Sequence, residues 1–230
     1  MTARRRDDIP RRRAAPVMAV IAVMAVVAGC GGDAAPQLVG YELDPAPAVG
    51  DLSLDDAAAG ETSSAMRADA GGLLITFLGF TNCPDVCPTT MASIAATLDA
   101  LGDDAERVNV AMVTVDPARD TAAVLTAFVD GFVPGARALR SDDPAALRAV
   151  TERLGASYLV EEPTVGAAPP TVSTAGGHTG EHAPSGVGHT SYVYVLDDTG
   201  ATVLVWPEGT SVDDMTSDLG ILLDRLDTTT

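Results

Sequence analysis

Residues 72–80, GLLITFLGF, form a nearly unbroken apolar run with β-branched and aromatic members, the pattern of a strand buried on both faces. The pattern then changes period. In TTMASIAATLDALG, residues 89–102, Met91, Ile94, Leu98 and Leu101 recur at helical spacing and Gly102 supplies a stop. VNVAMVTVD (108–116) reads as a second apolar strand, DTAAVLTAFVDGF (120–132) as a helix and ARALR (136–140) as a short strand. DDPAALRAVTERLG (142–155) predicts another helix, with an acidic cap, Pro144 in the first turn and Gly155 beyond the end.

Strands alternating with helices of this length imply a parallel sheet covered by helices. The end of the chain differs: SYVYVLDDTGATVLVW (191–206) is two β-rich runs joined by DDTG, an antiparallel hairpin signal, and SVDDMTSDLGILLDRL (211–226) is a closing helix. A βαβ unit, a further helix, a hairpin and a helix is the order of a thioredoxin-like α/β fold, a central mixed sheet flanked by helices. Weak strand signals at YEL (41–43) and DLSL (51–54) suggest a loosely specified N-terminal hairpin within the domain, which spans 40–230. Residues 163–188, rich in Gly, Pro, Ser and Thr without apolar period, predict a long flexible loop inserted before the last strand pair.

The N-terminus reads differently from the domain. MTARRRDDIPRRR is a basic region and residues 14–29, AAPVMAVIAVMAVVAG, an apolar one, together a signal peptide over 1–29. The apolar run is shorter than the roughly 20 residues a spanning helix requires. It ends in Val27-Ala28-Gly29-Cys30, which resembles a bacterial lipobox; small residues admit the peptidase and the Cys30 thiol takes the lipid. Residues 30–39 would then be a lipid-anchored tether, and the domain would sit on the extracytoplasmic face of the cell membrane.

Charge narrows the partners. The chain carries 14 basic and 32 acidic residues; removing 1–29 takes away six arginines and two aspartates and leaves a net charge of −22. Nucleic acid is excluded as a partner, because there is no excess of cationic side chains to release counterions.

Of three cysteines, assigning Cys30 to lipid leaves Cys83 and Cys87 in FTNCPDVCPTT, four positions apart and each followed by proline. Pro88 places the helix start near Cys87, since its ring would clash deep inside a helix, and Cys83 falls on the preceding loop. Helix-terminal N–H groups and the dipole are expected to favour thiolate over thiol there. The pair could form a strained disulfide, an inert staple or a chelate for a soft metal; disulfide and metal exclude one another. A staple closing so small a loop stabilises little.

FTNCPDVCPTT resembles the C-P-D-V-C-P signature of the SCO/SenC family of membrane-anchored, thioredoxin-like copper chaperones. Thr114-Val115-Asp116-Pro117-Ala118-Arg119-Asp120-Thr121 is similar to its T-V-D-P-x-R-D-T segment, and His189-Thr190-Ser191 to its late H-[ST] motif. The resemblance implies that Cys83 and Cys87 give thiolates and His189 an imidazole to one copper ion, Cu(I) or Cu(II). It also implies a partner, the copper-site subunit of cytochrome c oxidase, whose CuA centre the family helps assemble. Two thiolates and one imidazole suit copper and leave a position through which a partner's ligand enters. A histidine beside a strand is, taken alone, more often structural. Gly188 departs from the family, which often has an acidic residue before the histidine to orient the ring.

Asp85 sits between the cysteines, either tuning them, facing a partner or simply forming the turn. Asp116 and Arg119 suggest a structural ion pair, and His178 and His182, at i, i+4 in the inserted loop, are candidate accessory ligands. An alternative function is thiol-disulfide exchange, with Cys83 and Cys87 keeping oxidase copper-site cysteines reduced; such an enzyme would not need His189. A peroxidase on the same architecture is a third reading.

Overall fold

The computed structural model describes residues 37–160 and 187–229, with backbone only for 159, 160, 187–189 and 229. The signal peptide, Cys30, most of the loop expected over 163–188, and His178 and His182 within it lie outside the described residues. Among the described residues no helix is long and apolar enough to cross a membrane.

A seven-stranded mixed sheet forms the centre, in the order β2-β1-β5-β4-β3-β8-β9. Its three parallel strands are β3 (Leu73–Gly79), β4 (Val108–Thr114) and β5 (Arg137–Arg140). β8 (Val193–Leu196) runs antiparallel to β3, with Phe77 opposite Val193, and β9 (Thr202–Trp206) antiparallel to β8. At the other edge β1 (Ser53–Asp56) pairs antiparallel with β5 and with β2 (Thr62–Ala65).

The continuous apolar run of β3 follows from its central position, because alternate residues enter two different cores. Leu73, Ile75 and Phe77 join Val110 and Met112 beneath α1 (Val86–Leu101), α2 (Ala122–Asp130) and α4 (Val212–Thr229). Leu74 and Leu78 point the other way, with Ala111, Val113 and Leu139, toward α3 (Pro144–Arg153) and the residues Val49, Leu54 and Met66. A strand covered on both sides is apolar on both faces rather than at every second position, and within β3 Thr76 is the exception. Side-chain caps fix two helix starts: Asp143 accepts from Ala145 N at 2.9 Å and Thr121 from Val124 N at 3.4 Å.

The N-terminal hairpin is present but is not the one predicted. DLSL supplies β1, whereas YEL forms no arm of it; Tyr41 instead bridges Val205 at the edge of β9, exchanging two backbone bonds of 2.9 Å. The second arm, TSSA, gives no apolar alternation because it is the outermost strand, with two of its residues exposed and two half-buried. Past α3, β6 (Tyr158–Val160) pairs antiparallel with β7 (Val187–His189) in a small separate sheet that the sequence pattern does not reveal.

Two buried hydroxyls opposite one another, Tyr194 OH and Thr76 Oγ1, have no hydrogen-bond partner among the described residues. Burial, with a lesser contribution from Tyr192, pushes the Tyr194 phenol up to about 12. Removing a desolvated, unpaired hydroxyl forfeits no hydrogen bond. Tyr194→Phe is therefore expected to hold or raise the unfolding free energy, by up to about 1 kcal/mol in urea titration, and a loss larger than that would contradict the assignment.

Candidate metal centre

The chain leaves β3 at Gly79 and enters α1 at Val86, so Cys83 stands on the connecting loop and Cys87 in the first helical turn. This is the carboxyl end of the parallel strands, where open α/β sheets build their sites. Pro88 occupies the third helical position, whose N–H would have no intrahelical acceptor, so the proline costs the helix nothing. The loop is closed by Cys83 N donating to Phe80 O at 3.2 Å, and the helix begins with Thr89 N donating to Asp85 O at 3.1 Å.

Cys83 and Cys87 are thiols, with no disulfide between them. Cys87 N–H donates to Cys83 Sγ at 3.4 Å, so a helix-terminal N–H is aimed at the loop sulfur. Cys83 is half-buried and packs at the boundary of both cores, while Cys87 is 0% exposed and belongs to the helix-covered one. Gly79 leaves room beside it, since an added Cβ would stand 3.0 Å from Cys87 Sγ and 2.9 Å from Met112 Cε.

The expectation that the helix terminus favours thiolate at both cysteines fails at Cys87. Burial raises its thiol well above the ordinary value of 9.0; a backbone bond with Phe80 opposes this, and Cys83 and the charge of Asp120 add to it. Desolvation of the charged sulfur outweighs the helix N-terminus because the side chain turns inward. A soft cation entering here must displace the Cys87 proton.

Asp85 is exposed and caps α1 without a side-chain bond to the helix backbone; among the described residues its carboxylate accepts a 3.4 Å bond from Thr89 Oγ1. Asp116 and Arg119 form the expected ion pair at the end of β4. Asp120, which sequence reasoning did not single out, lies buried below the cysteine loop.

His189 is placed by its backbone. Its β7 position pairs with Tyr158, and Thr190 N donates to Ser157 O at 2.9 Å. Because Val193 opens β8 opposite Phe77, near the end of β3, the residues preceding it run on past the carboxyl end of β3. Four residues of chain reach at most about 14 Å, so the His189 backbone lies within that distance of Val193. Tyr158, its register partner, and Cys83 pack against the same core cluster. Among the described side chains no group of three or more His, Cys, Asp or Glu is gathered closely enough to hold a metal.

A mixed sheet with helices on both faces and a cysteine pair at the first strand-to-helix turn defines the thioredoxin-like class. Within it, the chain belongs to the SCO1/SenC family, whose model matches residues 44–224. Similar proteins include the SCO2-like protein of Rickettsia prowazekii, 38% identical over 64 residues, and Protein SenC of Rhodobacter capsulatus, 35% identical over 89. These matches cover 28% and 39% of this chain and only 31% and 40% of the relatives' own lengths. Two similar solved structures are each 26% identical to it. Bradyrhizobium japonicum ScoI with copper bound has a TM-score of 0.53 over 74% of this chain and 95% of the other. Apo Sco1 from Thermus thermophilus has a TM-score of 0.56 over 86% and 99%.

Proposed function

We propose that the protein is a copper chaperone that holds one copper ion, as cargo, through Cys83, Cys87 and His189. The observation that carries this reading is the pair of thiols at the carboxyl end of β3, one half-buried and one fully buried with no disulfide between them, and His189 follows as the expected third donor four residues before Val193, the strand residue opposite Phe77. Two soft sulfur donors fit copper far better than the hard cations that oxygen sites hold. Membership of the SCO1/SenC family and likeness to a copper-bound ScoI support it. The recipient is the CuA-site subunit of cytochrome c oxidase, reached from a lipid anchor at Cys30 on the extracytoplasmic membrane face. Replacing Cys30 by alanine is expected to release the chain from the membrane fraction, and an unchanged distribution on fractionation would remove the anchor from the account.

One observation favours a second reading, thiol-disulfide exchange on the copper-site cysteines of the oxidase: Cys83 is half-buried and within 3.4 Å of Cys87 N–H, an arrangement suited to attack on a disulfide. Titration of the reduced chain with Cu(I) and Cu(II) separates the two. One copper per chain, lost in His189→Ala, supports the chaperone; full retention in His189→Ala supports the reductase.

A further inference from the structure

Asp120 is 0% exposed, yet it makes no ion pair with a basic residue among those described. Four hydrogen bonds satisfy its carboxylate instead, and three of them come from one residue of the cysteine loop. Thr81 N donates to Oδ1 at 3.2 Å and to Oδ2 at 3.1 Å, and Thr81 Oγ1 donates to Oδ1 at 2.5 Å. Thr114 Oγ1, at the end of β4, donates to Oδ2 at 2.5 Å and in turn accepts from Asp116 N at 3.0 Å. Asp120 is itself fixed by its N–H, which donates to Asp116 O at 2.9 Å.

Thr81 lies two residues before Cys83 and 39 residues before Asp120, so the bonds cross from the cysteine loop to the turn that follows β4. Beyond the β3–β4 ladder, the neighbouring backbone is joined by Val115 N donating to Gly79 O at 2.9 Å. After Thr81 the loop is held by the Phe80 to Cys83 turn, the helix start and the bond from Cys87 N to Cys83 Sγ. Bonds to a buried carboxylate are roughly twice as strong as neutral ones, so this latch is a strong restraint on the start of the cysteine loop.

We propose that Asp120 is a positioning residue that latches the cysteine loop to the end of β4 and so holds the Cys83 sulfur within reach of Cys87. It acts through Thr81 rather than on any bound group. The inference depends on the copper reading only for what the held sulfurs carry; the closeness of the two sulfurs is measurable without metal.

The test equilibrates the full chain with a glutathione redox buffer. Cys83 and Cys87 give up two protons and two electrons to one glutathione disulfide, forming their own disulfide and two reduced glutathiones. Loosening the latch lowers the effective concentration of one thiol at the other, so Asp120→Asn is expected to reduce that equilibrium constant about tenfold, a rise of about 30 mV in potential. Cu(I) affinity is expected to fall in parallel. Thr81→Val, a milder change, moves both the same way by less, and Thr81→Ser restores them. Asp56→Asn is the control, since Asp56 is likewise buried and accepts from Ala58 N and Ala138 N at 3.0 Å in the far hairpin. It should lower stability and leave the equilibrium alone. An equilibrium in Asp120→Asn within about twofold of the wild type, or a shift of equal size in Asp56→Asn, overturns the proposal. A wild type that binds no copper while Asp120→Asn still shifts the glutathione equilibrium defeats the copper reading and supports the latch.

Discussion

Replacing either Cys83 or Cys87 by serine is expected to abolish copper retention, lowering affinity by well over the roughly hundredfold that loss of an outer ligand partner costs. A hydroxyl is a hard donor that does not ionise near neutral pH, whereas copper at such a site needs thiolate. The two variants separate binding from folding. Cys83 is half-buried, so its replacement should change the urea midpoint little. Cys87 is 0% exposed, and burying a more polar hydroxyl in place of its thiol costs about 1–3 kcal/mol. The same burial sets the pH dependence. Because the Cys87 thiol is raised above its ordinary 9.0 in the fold, copper must compete with a proton throughout the neutral range, and affinity should climb as pH rises. Without metal the sign reverses for stability: the folded state keeps the Cys87 proton that the unfolded chain loses, so this contribution is complete below 9.0 and declines above it. Copper competition assays and urea titrations at several pH values check both; equal affinity in wild type and Cys83→Ser would refute the ligand assignment.

Trp206→Ala should be among the most destabilising single changes outside the cysteine loop, by about 3–5 kcal/mol. The indole is 0% exposed at the end of β9 and fills the core under α4. Its Nε1–H donates to Asp218 Oδ2 at 2.8 Å, and the same fully buried carboxylate accepts from Val39 N at 2.8 Å and Gly40 N at 2.9 Å. Asp218 thereby ties the start of the described chain to α4. Truncation empties the ring's volume and removes one of three donors from a buried charge. Trp206→Phe isolates the second effect, keeping most of the packing while losing the N–H, with an expected cost of about 1.5–3 kcal/mol. Denaturant unfolding monitored by far-UV circular dichroism gives both values. Equal stability of Trp206→Phe and the wild type would show that the bond to Asp218 contributes nothing.

The parallel core was legible because β3 and β4 are apolar on both faces and α1 and α3 carry clear starts and stops; Gly102 and Gly155, at φ of 66° and 67°, end them as read. Edges were not legible. TSSA is polar because only one side of it meets the sheet, and YEL suggests a hairpin arm because a single bridge from Tyr41 to Val205 leaves no period in the sequence. At the site, residue types pointed to Cys83 and Cys87 and the family resemblance to His189, but neither revealed the environment of the sulfurs. Helix position predicted an ionised Cys87, and only the inward turn of its side chain shows that desolvation prevails. Asp120 stayed hidden for a similar reason: an aspartate before a helix cap looks like surface charge until the sheet brings Thr81 to it from 39 residues away.

Copper K-edge X-ray absorption on the Cu(I)-loaded chain, beside His189→Ala, addresses the site most directly. Coordination by two sulfurs and one imidazole nitrogen, with the nitrogen lost in the variant, is the predicted result. A loaded chain whose spectrum is the same with and without the His189 imidazole, or one that shows no sulfur neighbours, would contradict it.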